Sequence, residues 1–359
     1  MNKTYIIAEA GVNHNGSEEL AFKLVDAAYE AGADVVKFQT FKAKNLVTAF
    51  AEQASYQQNN MQRKESQLEM LSRLELSYDS HHKLIAYCQK KGIEFLSTAF
   101  DHESLDFLVN DLGLKTLKIP SGELTNAPLV LAHAKTGCDL IVSTGMASLA
   151  EIEKALSVIA YGYLSPDACL PDENSFEKAY SSGEGRLLLK SKVTLLHCTT
   201  EYPAPFDEVN LKVMDTLAQA FELPVGYSDH TQGISVPVAA AARGAVIIEK
   251  HFTLDKNMEG PDHKASLEPD ELKSMVQAVR QVEAALGRGI KGPTPSEADN
   301  KHAARKSLVA SCLIKKGEMF TEDNICVKRP GTGLSPYRYW DMLERKAHKD
   351  YQPGDLIIE

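Results

Sequence analysis

Two histidines set the first chemical expectation. His230 closes the apolar run PVGYS in the motif SDHT, and His251 closes AVIIE in EKHF. Between them, SVPVAAAARGA has the length and small-residue pattern of a helix, so residues 226–263 read as strand, helix, strand. In such units ligands collect beyond the carboxyl ends of parallel strands, which sets both imidazoles on one rim. Neutral imidazoles with Asp229, Glu249 and Asp262 close in sequence suit a divalent transition metal; two ordinary polar strand ends are the alternative. Lys37 and Lys118 add a second signal, because each lies within an apolar run, VVKFQ and TLKIP. Strand alternation puts Val35, Lys37 and Gln39 on one side. A lysine turned inward needs a partner, and two at one mouth make a phosphate or carboxylate site, with structural ion pairs as the other reading.

The elements that must position these groups alternate along the chain. Strand-like runs YIIAEA, DVVKFQT, IEFLSTAF, TLKIPS, DLIVSTG, VTLLHC, PVGYSD and AVIIEKHF are separated by amphipathic stretches such as SEELAFKLVDAAYEAG, ESLDFLVNDLG and EIEKALSVIAYGYL. Eight strand–helix repeats in roughly 290 residues is the count of an α/β (β/α)8 TIM barrel, and a doubly wound open sheet has the same local pattern. Nearly every strand ends in a polar or ionisable residue: Glu9, Lys37 and Gln39, Ser97 and Thr98, Lys118 and Ser121, Ser143 and Thr144, His197, Ser228 and His230, Glu249 and His251. In a barrel these ends ring one mouth, where catalysis sits. The segment after DVVKFQT is long, with polar AEQASYQQNNMQRKESQ before helical LEMLSRLEL, and SPDACLPDENSFEKAYSSGEG reads as a solvated loop.

After Gly287 the character changes. The expected division is a catalytic domain over 1–287, a Gly/Pro/polar linker over 288–304 and a small β-rich domain over 305–359. That last domain has little core of its own and carries KRPGTG, which sets Lys328 and Arg329 beside a rigid proline. A net charge of −10 argues against nucleic acid and anionic membrane as partners. The six cysteines contain no CxxC pair, and the N-terminal apolar run is too short for a signal peptide, so a reducing cytoplasm is the expected location.

IAEAGVNHNG, VKFQT, FLSTAFD, LKIPSGE, STGM, LLHCTTEYPAPFDEVNL, GYSDHT, IEKHFTLDK, GPDHKASLEPDEL and KRPGTG stand in this order along essentially the whole chain. Together they resemble the bacterial sialic acid synthases. The resemblance implies a TIM barrel followed by a C-terminal antifreeze-like (SAF) domain, in a domain-swapped homodimer. It also implies condensation of phosphoenolpyruvate with an N-acylated mannosamine-type aldose. A Mn²⁺-type metal, with Mg²⁺ or Co²⁺ as alternatives, would be held by His230 and His251. Lys37, Lys118, Ser121, Ser143 and Ser228 would hold phosphoenolpyruvate, and Glu9 would be the acid/base carboxylate. Gln39, Glu123, Tyr202 and Asp262 would contact the sugar, and Arg329 would reach over from the partner subunit. Many relatives have Asn where this chain has Thr200.

The motif context is nearer to synthases of N-acetylneuraminate than to the pseudaminate branch, so N-acetylmannosamine is the expected aldose. Legionaminate and pseudaminate synthases, which take diacetamido-trideoxy sugars, share every catalytic motif and are the alternatives. A Schiff-base aldolase on the same fold and a non-catalytic ice or carbohydrate binder are the rivals from other classes.

Overall fold

The computed structural model describes residues 3–61, 65–165 and 171–359. The chain divides into two compact units, Met1–Gly287 and Arg288–Glu359. In the first, eight strands form a closed barrel in chain order. They are β1 (Tyr5–Gly11), β2 (Val35–Thr40), β3 (Glu94–Ala99), β4 (Thr116–Ile119), β5 (Asp139–Ser143), β6 (Val193–His197), β7 (Val225–Asp229) and β8 (Ile247–His251). All neighbours pair in parallel, and β8 closes on β1 with Glu9 opposite His251. Closure excludes the open sheet.

The barrel interior is built in layers, as strand alternation requires. Ile7, Val35, Leu96, Ile141, Leu196 and Ile247 form a buried apolar cluster of their own. Two residues farther along each of those chains come Glu9, Lys37, Thr98, Ser143, Cys198 and Glu249, all of which line a cavity at the carboxyl mouth. Lys118 from β4 and Ser228 from β7 complete the ring. On β7 the apolar layer is filled by Gly226, where a Cβ would stand 2.5 Å from the Ile247 carbonyl oxygen and 2.6 Å from Leu196 Cδ2. Only a glycine lets β7 approach this closely. The large outer core lies between the barrel wall and its helices, with Leu24, Val25, Leu84, Leu156 and Met275 among its members.

Helix starts follow local chemistry. Ser17 caps Glu18–Ala31 by accepting from Leu20 N, and Ser148 with Glu151 forms a capping box on Leu149–Leu164. Two sequence expectations are corrected. Much of the segment 165–185 expected as a solvated loop is helical, covering Glu173–Ser181 and the start of Gly183–Lys192, while residues 166–170 lie outside the described residues. Its polar composition hides the helices because only one side touches the body, through Ala179, Gly185 and Leu189, while Asp172 and Ser182 supply the caps. The linker also contains a helix, Pro295–Ala304, started by Thr294, Glu297 and a first-turn proline. None of its residues is buried, so it forms from its caps without a core contact.

The second unit pairs β9 (Ser307–Ala310) with β10 (Ile325–Lys328) in antiparallel fashion. Isolated bridges Val309–Leu356, Ile314–Tyr351 and Met319–Lys346 extend the β structure. It has its own small core, including Leu308, Phe320, Ile325, Tyr351 and Ile357. No described helix is long and apolar enough to cross a membrane.

Candidate active site

The mouth of the barrel holds a cavity of about 360 Å³, within the range of small-molecule sites. Its floor is a cluster of two lysines and two carboxylates. Lys37 Nζ lies 2.7 Å from Glu9 Oε2 and 3.4 Å from Glu249 Oε2, and donates to Thr98 Oγ1 at 3.0 Å. Lys118 Nζ lies 3.6 Å from Glu249 Oε1 and donates to Ser143 Oγ at 2.7 Å. Ser228 Oγ donates to Glu249 Oε1 at 2.7 Å. All four charged side chains are buried.

The two carboxylates are driven apart. Burial raises Glu9 to about 7, Lys37 working against that rise and Glu249 adding to it. Burial also disfavours the Glu249 charge, but Lys118, Lys37 and the Ser228 hydroxyl outweigh it and hold this carboxyl well below its usual range. Burial lowers Lys118, whereas for Lys37 the two carboxylates overcome the same burial and raise it. One carboxyl that keeps its proton near neutrality beside one that stays ionised is the pattern of an acid and a base in a single site. The sequence sets Glu249 at a strand end, among the carboxylates near the two histidines, and assigns it no catalytic role. The available signal was the alternation that sets Glu249 two residues before His251, in register with Ser228.

His230 and His251 face each other across the rim, ring centroids 5.6 Å apart. The His230 Nδ1–H donates to the Thr199 carbonyl at 2.5 Å, leaving Nε2 as the lone-pair nitrogen. His251 Nδ1 is buried without a hydrogen-bond partner among the described residues. Burial lowers both imidazoles, and at His251 the neighbouring His230 and Lys37 add to the effect. Two neutral imidazoles, one oriented through its other nitrogen and one with an unused buried nitrogen, fit a borderline divalent ion. Among the described residues no third His, Cys, Asp or Glu completes a protein-only cluster, so water and substrate would supply the remaining ligands. Gly11 makes room for this ring: with φ +53°, its Cβ would meet His251 Cε1 at 3.2 Å.

The rest of the rim is polar on one side. Ser121 Oγ accepts from Gly145 N at 3.0 Å and lies 3.1 Å from Cys198 Sγ. Thr200 Oγ1 is buried and without a hydrogen-bond partner among the described residues, and it would stand 2.2 Å from a Cβ on Gly145. Tyr202 packs on His230, centroids 4.2 Å apart, and edge-on to His251. Gln39 donates to Glu9 at 3.4 Å, and Glu123 accepts from Asn126. Every predicted site residue lines this cavity except Arg329. That residue is exposed in the second unit and donates through Nε to the Ala304 carbonyl at 3.0 Å. The apolar part of the lining includes Phe41, Leu46, Val47, Met70, Leu71 and Leu74, from the long segment after β2 whose individual residues the sequence leaves unassigned.

Asp262 is buried with no ion pair among the described residues, and burial raises its carboxyl to about 7. The folded chain therefore holds this proton more tightly than the unfolded one. The stabilisation is complete below about pH 4 and is lost as pH rises through 7. Asp262→Asn should gain thermal stability relative to the parent between pH 4 and 7 and level off above, a swing of up to about 4 kcal/mol. A Tm difference that is independent of pH would contradict this.

The model described as the NeuB family matches residues 24–291. The chain belongs to the NeuB family. N,N'-diacetyllegionaminic acid synthase of Campylobacter jejuni is 52% identical over 359 residues, 100% of both chains. The enzyme of the same name from Legionella pneumophila is 47% identical over 354 residues, 99% of this chain and 93% of that one. The structure of N-acetylneuraminic acid (sialic acid) synthetase from Leptospira borgpetersenii is 33% identical, with a TM-score of 0.66 over 83% of this chain and 90% of that chain. This NeuB family chain is an enzyme of the phosphoenolpyruvate-dependent nonulosonate synthase class, and enzymes of the family are generally metal-dependent. Membership sets aside the Schiff-base aldolase and the ice binder.

Proposed function

We propose that this enzyme joins phosphoenolpyruvate, a 2,4-diacetamido-2,4,6-trideoxymannose and water into N,N'-diacetyllegionaminate and phosphate. What carries this reading is the full-length likeness to the two legionaminic acid synthases, at 52% and 47% identity. It replaces the expectation of N-acetylmannosamine. The motifs behind that expectation, HCTTEYPAPFDEVNL and GPDHKASLEPDEL, supply Tyr202 and Asp262, which would meet the reacting end of the sugar that both aldoses share, so they carry no information about its distal end.

The chemistry needs an electrophilic aldehyde and a held trianion. Lys118, Ser143, Ser121 and the Gly145 N–H would bind the phosphate and carboxylate of phosphoenolpyruvate, with Lys37 and Ser228 completing the cradle. As the methylene carbon attacks the aldehyde, the sugar oxygen gains negative charge and C2 of phosphoenolpyruvate becomes oxocarbenium-like. Glu9, carrying a proton near neutral pH, would deliver it to the new alkoxide. Glu249, held ionised by Lys118 and Lys37, would orient the water that adds at C2; collapse of the resulting tetrahedral centre would break the C2–O bond and release phosphate, which takes the water's proton. His230 and His251 would hold a divalent ion, Mn²⁺ being the first choice, which would supply Lewis acidity and a template for water. Gln39, Glu123, Tyr202 and Asp262 would contact the sugar near its reacting end. The second unit would act as a SAF domain, with Arg329 completing the site of the partner subunit in a swapped homodimer.

The test is kcat/KM for both aldoses at saturating phosphoenolpyruvate. A preference of tenfold or more for the diacetamido-trideoxy sugar, about 1.4 kcal/mol of transition-state discrimination, is expected. An equal or larger value for N-acetylmannosamine would overturn the assignment.

A further inference from the structure

The polar floor and rim account for one side of the cavity only. The other side is built by the segment between β2 and β3, and its composition is different. The helix Gln67–Leu74 places Gln67, Met70, Leu71 and Leu74 on one face, at spacings of three, four and seven, and all four line the cavity. Its start is fixed by the Ser66–Glu69 capping box. Met70 and Leu74 are buried and join Val12, Phe41 and Met61 in a separate apolar cluster. Leu46, Leu71 and Phe100 pack against that cluster while remaining half-buried, and all three line the cavity, as does Val47. The cluster anchors the wall, and these side chains form its surface. Two amides stand at the same wall. Gln67 makes no side-chain hydrogen bond to a described residue, and Gln57 uses only its oxygen, accepting from Ala54 N at 2.9 Å.

We infer that this wall is the subsite for the unreactive end of the sugar, with Leu46, Val47, Leu71 and Phe100 receiving the C6 methyl and the C4 acetamido methyl and Gln67 pairing with the C4 amide. The inference rests on the substrate reading above and names the residues that enforce it. The aldehyde must lie at the histidines and Glu9, so C4 to C6 point away from the charged floor. A methyl and an acetamido group there gain apolar contact and one amide partner. N-acetylmannosamine would present two hydroxyl groups to the same surface and leave them short of partners. Apolar surfaces reject an added hydroxyl only modestly, by about 100-fold at most, so a preference of tens-fold is expected and not absolute exclusion.

The experiment compares kcat/KM for the two aldoses in the parent enzyme and in Leu71→Gln and Gln67→Leu, with the KM for phosphoenolpyruvate as an internal control. The parent should prefer the diacetamido-trideoxy sugar. In each variant that preference should shrink by about tenfold, with the KM for phosphoenolpyruvate within about twofold of the parent. If Leu71→Gln is recovered unfolded, Leu71→Ala is measured in its place and should narrow the preference in the same direction. A parent that prefers N-acetylmannosamine overturns the substrate reading and the subsite with it. A parent with the expected preference, left unchanged by the variants, overturns the subsite alone.

Discussion

Lys118→Ala should lower kcat/KM for phosphoenolpyruvate by between about 30-fold and several thousand-fold, while the KM for the aldose changes little. The magnitude follows from the geometry. Lys118 is buried, donates to Ser143 and lies 3.6 Å from Glu249, so its removal leaves a desolvated carboxylate and a bound trianion with one cation fewer. Breaking such a contact typically costs about 2–5 kcal/mol. Lys37→Ala should behave similarly, with a further loss in kcat because Glu9 loses the cation 2.7 Å away. An unchanged phosphoenolpyruvate dependence in both variants would refute the anion site. The same variant tests the proposed swap. Mixing Lys118→Ala with Arg329→Ala chains should restore activity through one intact site per mixed dimer, and no recovery in verified heterodimers would place Arg329 outside the partner's site.

Removal of divalent metal should have the other large effect. Excess chelator should reduce turnover by at least about 100-fold, and Mn²⁺, Co²⁺ and Mg²⁺ should restore it to different extents. His251→Ala should lose metal affinity, read by direct titration, with an unaltered circular dichroism spectrum, since its ring faces the cavity rim beside His230 and Tyr202. Full activity in excess chelator would remove the metal from the account.

How much of this the sequence disclosed depends on what each residue competes with. The eight barrel strands stand out because short apolar runs end in polar residues, and Lys37 and Lys118 interrupt those runs where nothing but function or ion pairing explains them. The helices at 173–192 do not stand out. Their sides are largely solvated, and their caps, Asp172 and Ser182, resemble ordinary loop residues. Glu249 was obscured by its neighbour, because in EKH the strand alternation sends Lys250 outward to a buried ion pair with Asp229 while Glu249 turns inward. The apolar wall proposed to meet the sugar is the least legible part. Met70, Leu71 and Leu74 follow the spacing of any core-facing helix, and only the folded barrel shows that part of this face is turned to a cavity.

The measurement that bears most directly on the account is inorganic phosphate released from phosphoenolpyruvate, followed with each substrate and the metal omitted in turn, with the product identified by mass. Phosphate should appear one for one with a nine-carbon 2-keto acid of the mass of N,N'-diacetyllegionaminate, and only when both the diacetamido-trideoxy aldose and divalent metal are present. Phosphate release that proceeds without an aldose, or a product lacking the three added carbons, would contradict it.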